Sequence, residues 1–334
     1  MNTNMYKAVT FRRALLIAPR FFGYEKEIAA ELEQHGLQVD MLPDRPFDSP
    51  YFKAMMRLWP KFGGYQISDR FFTEKLHTLG RDEYEIILVI LGEGVTPRTL
   101  SQLRIDYPRA RLIYYTWDSI KNKPSFQRNL ELYDHCFTFD HTDAKRYGMT
   151  FRPLFYLPDF DKPIITEPDY DLSFIGTIHS DRYKIIRSLT KQLPSSTNFF
   201  TYLYLQAPWM YDLRRIFTNT IAGAKRNEFQ YLPLSKDLVR SVFFGSRAVV
   251  DIEHPNQSGA TIRTFEAIGS QRKLITTNAT LRNYDFYNPM NIQIISRQVP
   301  LIDFEFLRAP YVPLPISIKK KYSLSQWLRD VCDI

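Results

Sequence analysis

The chain has 334 residues, 44% hydrophobic and 24% charged, with 44 Lys and Arg against 36 Asp and Glu, a net charge of +8. That length exceeds one ordinary core and suits two domains, and the apolar content excludes a disordered chain. Two cysteines, Cys136 and Cys332, stand far apart with no CxxC and no Cys/His cluster, which excludes a disulfide framework or a zinc site.

The start, Met1 to Lys7, leads into the apolar run Ala14–Ala18, closed by Pro19 and Arg20. The run is too short for a signal peptide or a membrane span, and it suits a buried parallel strand. Tyr24 to His35 has Ile28, Ala29 and Leu32 on one helical face and ends at Gly36, as a C-capped amphipathic helix does. Leu37–Met41 is a second strand, completing one βαβ unit. The pattern predicts further strands at Tyr84–Leu91, Arg109–Thr116 and His135–Phe139, with a helix over Thr96–Asp106. Alternation of this kind predicts a parallel, doubly wound sheet. Between them, Phe47 to Phe72 is rich in aromatic and basic residues, including Tyr51, Lys53, Arg57, Trp59, Lys61 and Phe62. It reads either as a patch for anionic lipid or as a helical excursion packed on its domain.

A proline-rich, acidic stretch, 158–169, has the character of an interdomain linker. It separates a domain over 1–157 from one over 170–320, with a last helix in 321–334 that could pack back on the first domain. The second domain repeats the pattern. Strands are expected at Tyr170–Ile175, Asn198–Leu205, Ala248–Ile252, Lys273–Thr277 and Asn291–Ile295. Helices are expected at Asp181–Gln192, Ser235–Phe244, Gly259–Ser270 and Ser323–Cys332.

The segment from Asp251 to Ser270 carries the clearest chemistry. A strand ends, a polar loop follows, and Ser258 is placed to cap a helix. The N–H groups of Gly259, Ala260 and Thr261 would then offer a phosphate site, with Arg263 adding charge. Ile262, Phe265 and Ile268 would face the core, leaving Glu266 for a ligand hydroxyl. The plain alternative is a capped surface helix with Glu266 in a salt bridge. Gly176, Thr177 and Arg182 follow the first strand of the same domain, where a glycine admits close backbone approach and Arg182 can meet phosphate; His179 reads as a turn residue. In the first domain, Glu25, Glu93 and Asp118 follow strands, where such sheets put working groups. Each could take a proton from an acceptor hydroxyl. Equally, Glu25 could be a helix first-turn acid and Asp118 a cap or Asx-turn before a helix beyond Lys123. Asp140 and His141 are weaker choices. No Asp-x-Asp triplet stands at a strand end. No helix-turn-helix, zinc finger or RNA-binding signature appears, so nucleic acid is not an expected partner.

Asp251–Ser270, Arg272–Asn278 and Tyr284–Asn288 resemble the carboxyl-terminal domain of GT-B glycosyltransferases, nearest to bacterial enzymes of lipopolysaccharide or capsule biosynthesis. Asp171–Thr177 resembles the opening strand of that domain. The resemblance implies an α/β GT-B fold, two Rossmann-like domains facing across a cleft. It implies a nucleotide-sugar donor and a glycan or lipid-linked glycan acceptor such as an O-antigen or capsule precursor. Donor contacts fall on Gly176, Thr177, Arg182, Ser258, Gly259, Ala260, Thr261, Arg263 and Glu266, and the first loop, with Glu25, faces the acceptor. The resemblance further implies no cofactor and no essential metal. Ser258, not a glutamate, stands eight residues before Glu266, so the glutamate pair of retaining enzymes is absent and the stereochemistry stays open. The expected setting is cytoplasmic, with docking on an anionic inner-membrane surface as one outcome. A non-catalytic sugar- or nucleotide-binding protein on the same scaffold is the alternative reading.

Overall fold

The computed structural model describes residues 12–49, 52, 55–56, 63–80, 83–121, 124–161, 167–255 and 257–334. Met1–Lys7, Tyr51, Lys53, Arg57, Trp59, Lys61 and Phe62 of the aromatic stretch, Lys123, residues 162–166 of the linker and Asn256 lie outside the described residues. The chain forms two compact units, residues 1–152 with 327–334 and residues 153–326.

In the first unit, strands β1 (Arg12–Ala18), β2 (Leu37–Pro43), β3 (Ile86–Ile90), β4 (Arg111–Thr116), β5 (His135–Thr138) and β6 (Thr150–Phe151) form one parallel sheet in the order β2-β1-β3-β4-β5-β6. Helices α1 (Tyr24–Gln34), α2 (Tyr65–Leu79), α3 (Pro97–Asp106) and α4 (His141–Tyr147) cross between strands. All five residues of β3 are buried, as expected of a central strand covered on both faces. Trp327 is fully buried, its ring 4.7 Å from that of Tyr115 on β4.

In the second unit, β7 (Tyr170–Thr177), β8 (Phe199–Tyr204), β9 (Ser246–Asp251), β10 (Lys273–Thr276) and β11 (Ile292–Ile294) pair in parallel in the order β11-β10-β9-β7-β8. Helices α5 (Arg182–Gln192), α6 (Pro208–Phe217), α7 (Lys236–Phe244) and α8 (Ile262–Gly269) follow β7, β8 and β9. Then come α9 (Phe304–Arg308), α10 (Ile316–Lys321) and α11 (Leu324–Cys332). Leu172, Phe174, Ala248, Val250 and Ile275 on the sheet pack with Tyr183, Ile186 and Leu189 of α5 in one apolar cluster.

Both sheets reverse direction beside their first strand, between β1 and β3 and between β7 and β9. Ligands of open parallel sheets bind outside the carboxyl ends of strands at such switch points. No helix among the described residues is long and apolar enough to cross a membrane.

Candidate functional site

At the switch point of the second sheet, β7 and β9 pair only as far as Ser173 and Val249, although the strands run on to Thr177 and Asp251. Arg182, at the start of α5, spans the gap above. Its Nε donates to the Ile252 carbonyl at 2.5 Å and its Nη1 to the Thr177 carbonyl at 2.9 Å. An added Cβ at Gly176 would come within 3.0 Å of the Phe174 ring and 3.3 Å of Arg182 Nη1. The glycine therefore leaves the space the guanidinium occupies. Burial lowers the Arg182 pKa to about 10, with nearby Arg263 and Arg297 adding to the drop and Asp251 and Glu253 opposing it. The group stays cationic at neutral pH.

The helix in the Asp251–Ser270 segment begins later than its spacing predicts. Thr261, not Ser258, is the N-cap, its side chain accepting from the Thr264 N–H. The reason lies in what holds the preceding residues. Thr261 Oγ1 donates to Asp251 at 2.5 Å. The Ser258 carbonyl accepts from Thr280 at 2.6 Å, the Gly259 carbonyl from Asn278 at 3.2 Å, and the Ala260 N–H is taken by Tyr284 Oη at 3.2 Å. Ser258 to Ala260 are thus pinned in a loop, and the Ala260 N–H is not offered to a ligand as the earlier helix start implied. Ser is the better N-cap of the two by intrinsic preference, and the contacts that hold the loop override that preference here. Glu266 is buried and accepts from Arg263 at 2.8 Å, while Arg263 also lies 4.7 Å from the Phe243 ring centroid. The salt bridge named above as the plain alternative is therefore present.

Three further groups belong to this edge and were not assigned site roles from the sequence. Arg297, just past β11, donates to both carboxylate oxygens of Asp181 at 2.8 and 3.0 Å and to the side chain of Glu253 at 2.5 Å. Buried Glu253 also accepts from Thr277 at 2.5 Å. Burial raises its pKa, and the bonds from Thr277 and Arg297 offset part of the rise. Arg214 on α6 makes no ion pair among the described residues. These partners come from positions 44 and 116 residues apart, so only the fold brings them together.

His179 sits among these cations, 5.3 Å ring to ring from His254. Burial first, then Arg182, His254, Arg214 and Arg297, push its pKa from 6.5 down to about 3. A histidine depressed in the folded state is neutral there while the unfolded chain takes a proton. Its contribution to stability is present above pH 6.5 and is lost as pH falls toward 3. The slope is at most about 1.4 kcal/mol per pH unit. His179→Asn should therefore lose stability less steeply than wild type between about pH 6 and pH 4. Equal slopes in urea titrations would show that the ring does not titrate as placed.

In the first unit, Glu25, Glu93 and Asp118 all lie past the carboxyl ends of strands. Glu25 is buried and accepts from the Phe21 N–H at 3.2 Å. Glu93 accepts from Arg45 at 2.5 Å, and its N–H donates to Asp44 at 3.2 Å. Its neighbour Gly94 lies so close that an added Cβ would meet Arg45 Cα and the Asp44 carbonyl at 2.9 Å. Half-buried Asp118 is held in a turn by Thr116, whose hydroxyl donates to the Asp118 carbonyl at 2.6 Å and accepts from its N–H at 3.2 Å. Beyond Lys123 lies a 3-10 helix, Pro124–Leu132. Asp140 caps α4, accepting from Thr142 at 2.8 Å and Asp143 at 3.2 Å, and His141 stacks on Phe151 at 3.4 Å.

Two parallel α/β units of six and five strands, each with its switch point beside the first strand, make the GT-B fold. No family model and no curated protein sequence matches the chain. Among solved structures, it is similar to a glycosyltransferase from Rickettsia africae ESF-5, with a TM-score of 0.61 at 12% identity over 97% of each chain. It is also similar to Anabaena Alr3699/HepE, solved in complex with UDP and glucose, with a TM-score of 0.54 at 11% identity over 96% of this chain and 98% of that one. Likeness at this level of identity is likeness of fold.

Proposed function

We propose that the chain is a glycosyltransferase that moves a sugar from a nucleotide-sugar donor to a lipopolysaccharide, O-antigen or capsule precursor, at the cytoplasmic face of a membrane and without an essential metal. The observation that carries this reading is the cationic edge at the second switch point. Buried Arg182 and Arg214, which has no ion pair among the described residues, stand there beside a neutral His179. Such a site suits a diphosphate, whose charge the guanidinium groups and the start of α8 would hold. In this reading Gly176, Thr177, Arg182 and Arg214 line the phosphates, with Ser258, Gly259, Thr261 and Arg263 on their other side. Glu266, fixed by Arg263, meets the ribose. The UDP and glucose carried by the Anabaena neighbour agree with a donor of this class.

Transfer needs an acceptor oxygen to attack the anomeric carbon while the bond to the diphosphate breaks. For an inverting transfer, the acceptor proton passes to a carboxylate. Asp118, Glu93 and Glu25 are the candidates for it, each past the carboxyl end of a strand. The departing diphosphate gains its stabilisation from the arginines and the helix start.

A thermal-shift screen with UDP, GDP, CMP and dTDP and their sugars tests this reading. One nucleotide at about a hundred times its Kd should stabilise the fold by about 2.7 kcal/mol. A flat response to every nucleotide would overturn the proposal.

A further inference from the structure

Helix α6 turns its apolar side outward. Trp209, Leu213, Ile216 and Phe217 are 56%, 46%, 73% and 74% exposed. At 100° per residue they occupy one continuous sector of the helix. The inward side holds Tyr211, buried, its ring 5.7 Å from Phe229 and its hydroxyl donating to the Ala224 carbonyl at 2.9 Å. Half-buried Arg214 also avoids the apolar sector. The helix is therefore anchored by a tyrosine and presents its large apolar residues to solvent. A cluster of this kind on a soluble surface marks a contact site.

The charge beside the stripe indicates what covers it. Asp212, the one acid on the helix, is paired by Arg226 at 3.5 Å. Arg214 and Arg215 make the helix's polar side basic, exposed Lys225 stands next to Arg226, and the chain carries a net charge of +8. An apolar sector with arginines on the polar side of the same helix matches the interface of an anionic bilayer, where the rings enter the acyl boundary and the cations meet headgroups. A ten-residue helix spans about 15 Å and would lie in the plane of the surface rather than cross it.

We propose that α6 is a membrane-docking helix and that an anionic lipid surface is its partner. This inference rests on the membrane-facing part of the reading above but not on its donor chemistry. The helix follows the strand next to β7, so docking would hold the donor edge of the second unit close to the bilayer.

The test is co-sedimentation of the full chain with vesicles of phosphatidylglycerol and phosphatidylcholine, against phosphatidylcholine alone. Wild type should pellet with the anionic vesicles and release as salt rises. I216S/F217S should bind them about tenfold more weakly or worse, and R215E should also bind less. Both variants change exposed residues and should keep the wild-type melting temperature and nucleotide shift, which separates failure of this proposal from failure of the donor reading. Vesicle binding unchanged in I216S/F217S would overturn it. So would a monomer–dimer equilibrium abolished by I216S/F217S in a chain that binds no vesicle, since a second copy would then cover the stripe.

Discussion

Arg182→Ala should cost about 2–5 kcal/mol of folding stability and remove the nucleotide-induced stabilisation. The guanidinium donates to the carbonyls of Thr177 and Ile252, which end neighbouring strands after their ladder has stopped at Ser173 and Val249. Removing it leaves two carbonyls without their partner at the point where the sheet opens. Each buried polar group left unsatisfied costs about 1–3 kcal/mol, with the lower end applying where water can enter the space. The same change takes away the cation proposed above to meet the diphosphate. Arg182→Lys keeps the charge but not the planar fork that serves two carbonyls. It should retain part of the nucleotide shift while losing part of the stability. Urea denaturation, with and without the nucleotide found in the screen, measures both effects. An Arg182→Ala protein as stable and as responsive as wild type would remove this residue from the site.

The strands were legible because parallel sheets bury both faces of their central members. Ile86 to Ile90 and Ala14 to Ala18 read as uninterrupted apolar runs, and both lie inside the first sheet. Short or unusual elements were not legible. Strand β6 has two residues, too few for any period. Helix α4 has seven, and its capping Asp140 had been weighed only as an acid. Helix α6 carries a clear amphipathic pattern, yet its apolar side faces solvent, and periodicity cannot say which side is covered. The edge around Arg182 was half legible. Gly176 and Arg182 were singled out by their place after a strand, whereas Arg297 and Glu253 meet only through the fold. The start of α8 moved from Ser258 to Thr261 because Thr280, Asn278 and Tyr284, all downstream, hold the intervening loop.

The pair of Arg297 with Glu253 should give the second large effect. Glu253 is buried, and Arg297 and Thr277 supply its side-chain bonds. Arg297→Met would take the charged partner away from that carboxylate, and breaking a buried pair from one side costs about 3–5 kcal/mol. The bond to Asp181 adds little, because a third of that side chain is exposed. The pH dependence identifies the cause. Burial already raises the Glu253 pKa, and losing its cation raises it further. A carboxyl whose pKa is higher folded than unfolded binds its proton more readily in the folded state. Protonation then stabilises the fold as pH falls through the folded pKa. The Arg297→Met deficit should accordingly be largest near pH 8 and shrink toward about pH 5. R297M/E253Q should recover most of the loss at every pH, because the buried group no longer carries charge. Urea titrations of wild type, both single variants and the double variant close the cycle. A deficit in Arg297→Met that does not change with pH, or that persists in the double variant, would mean that Arg297 acts through packing and not through the charge on Glu253.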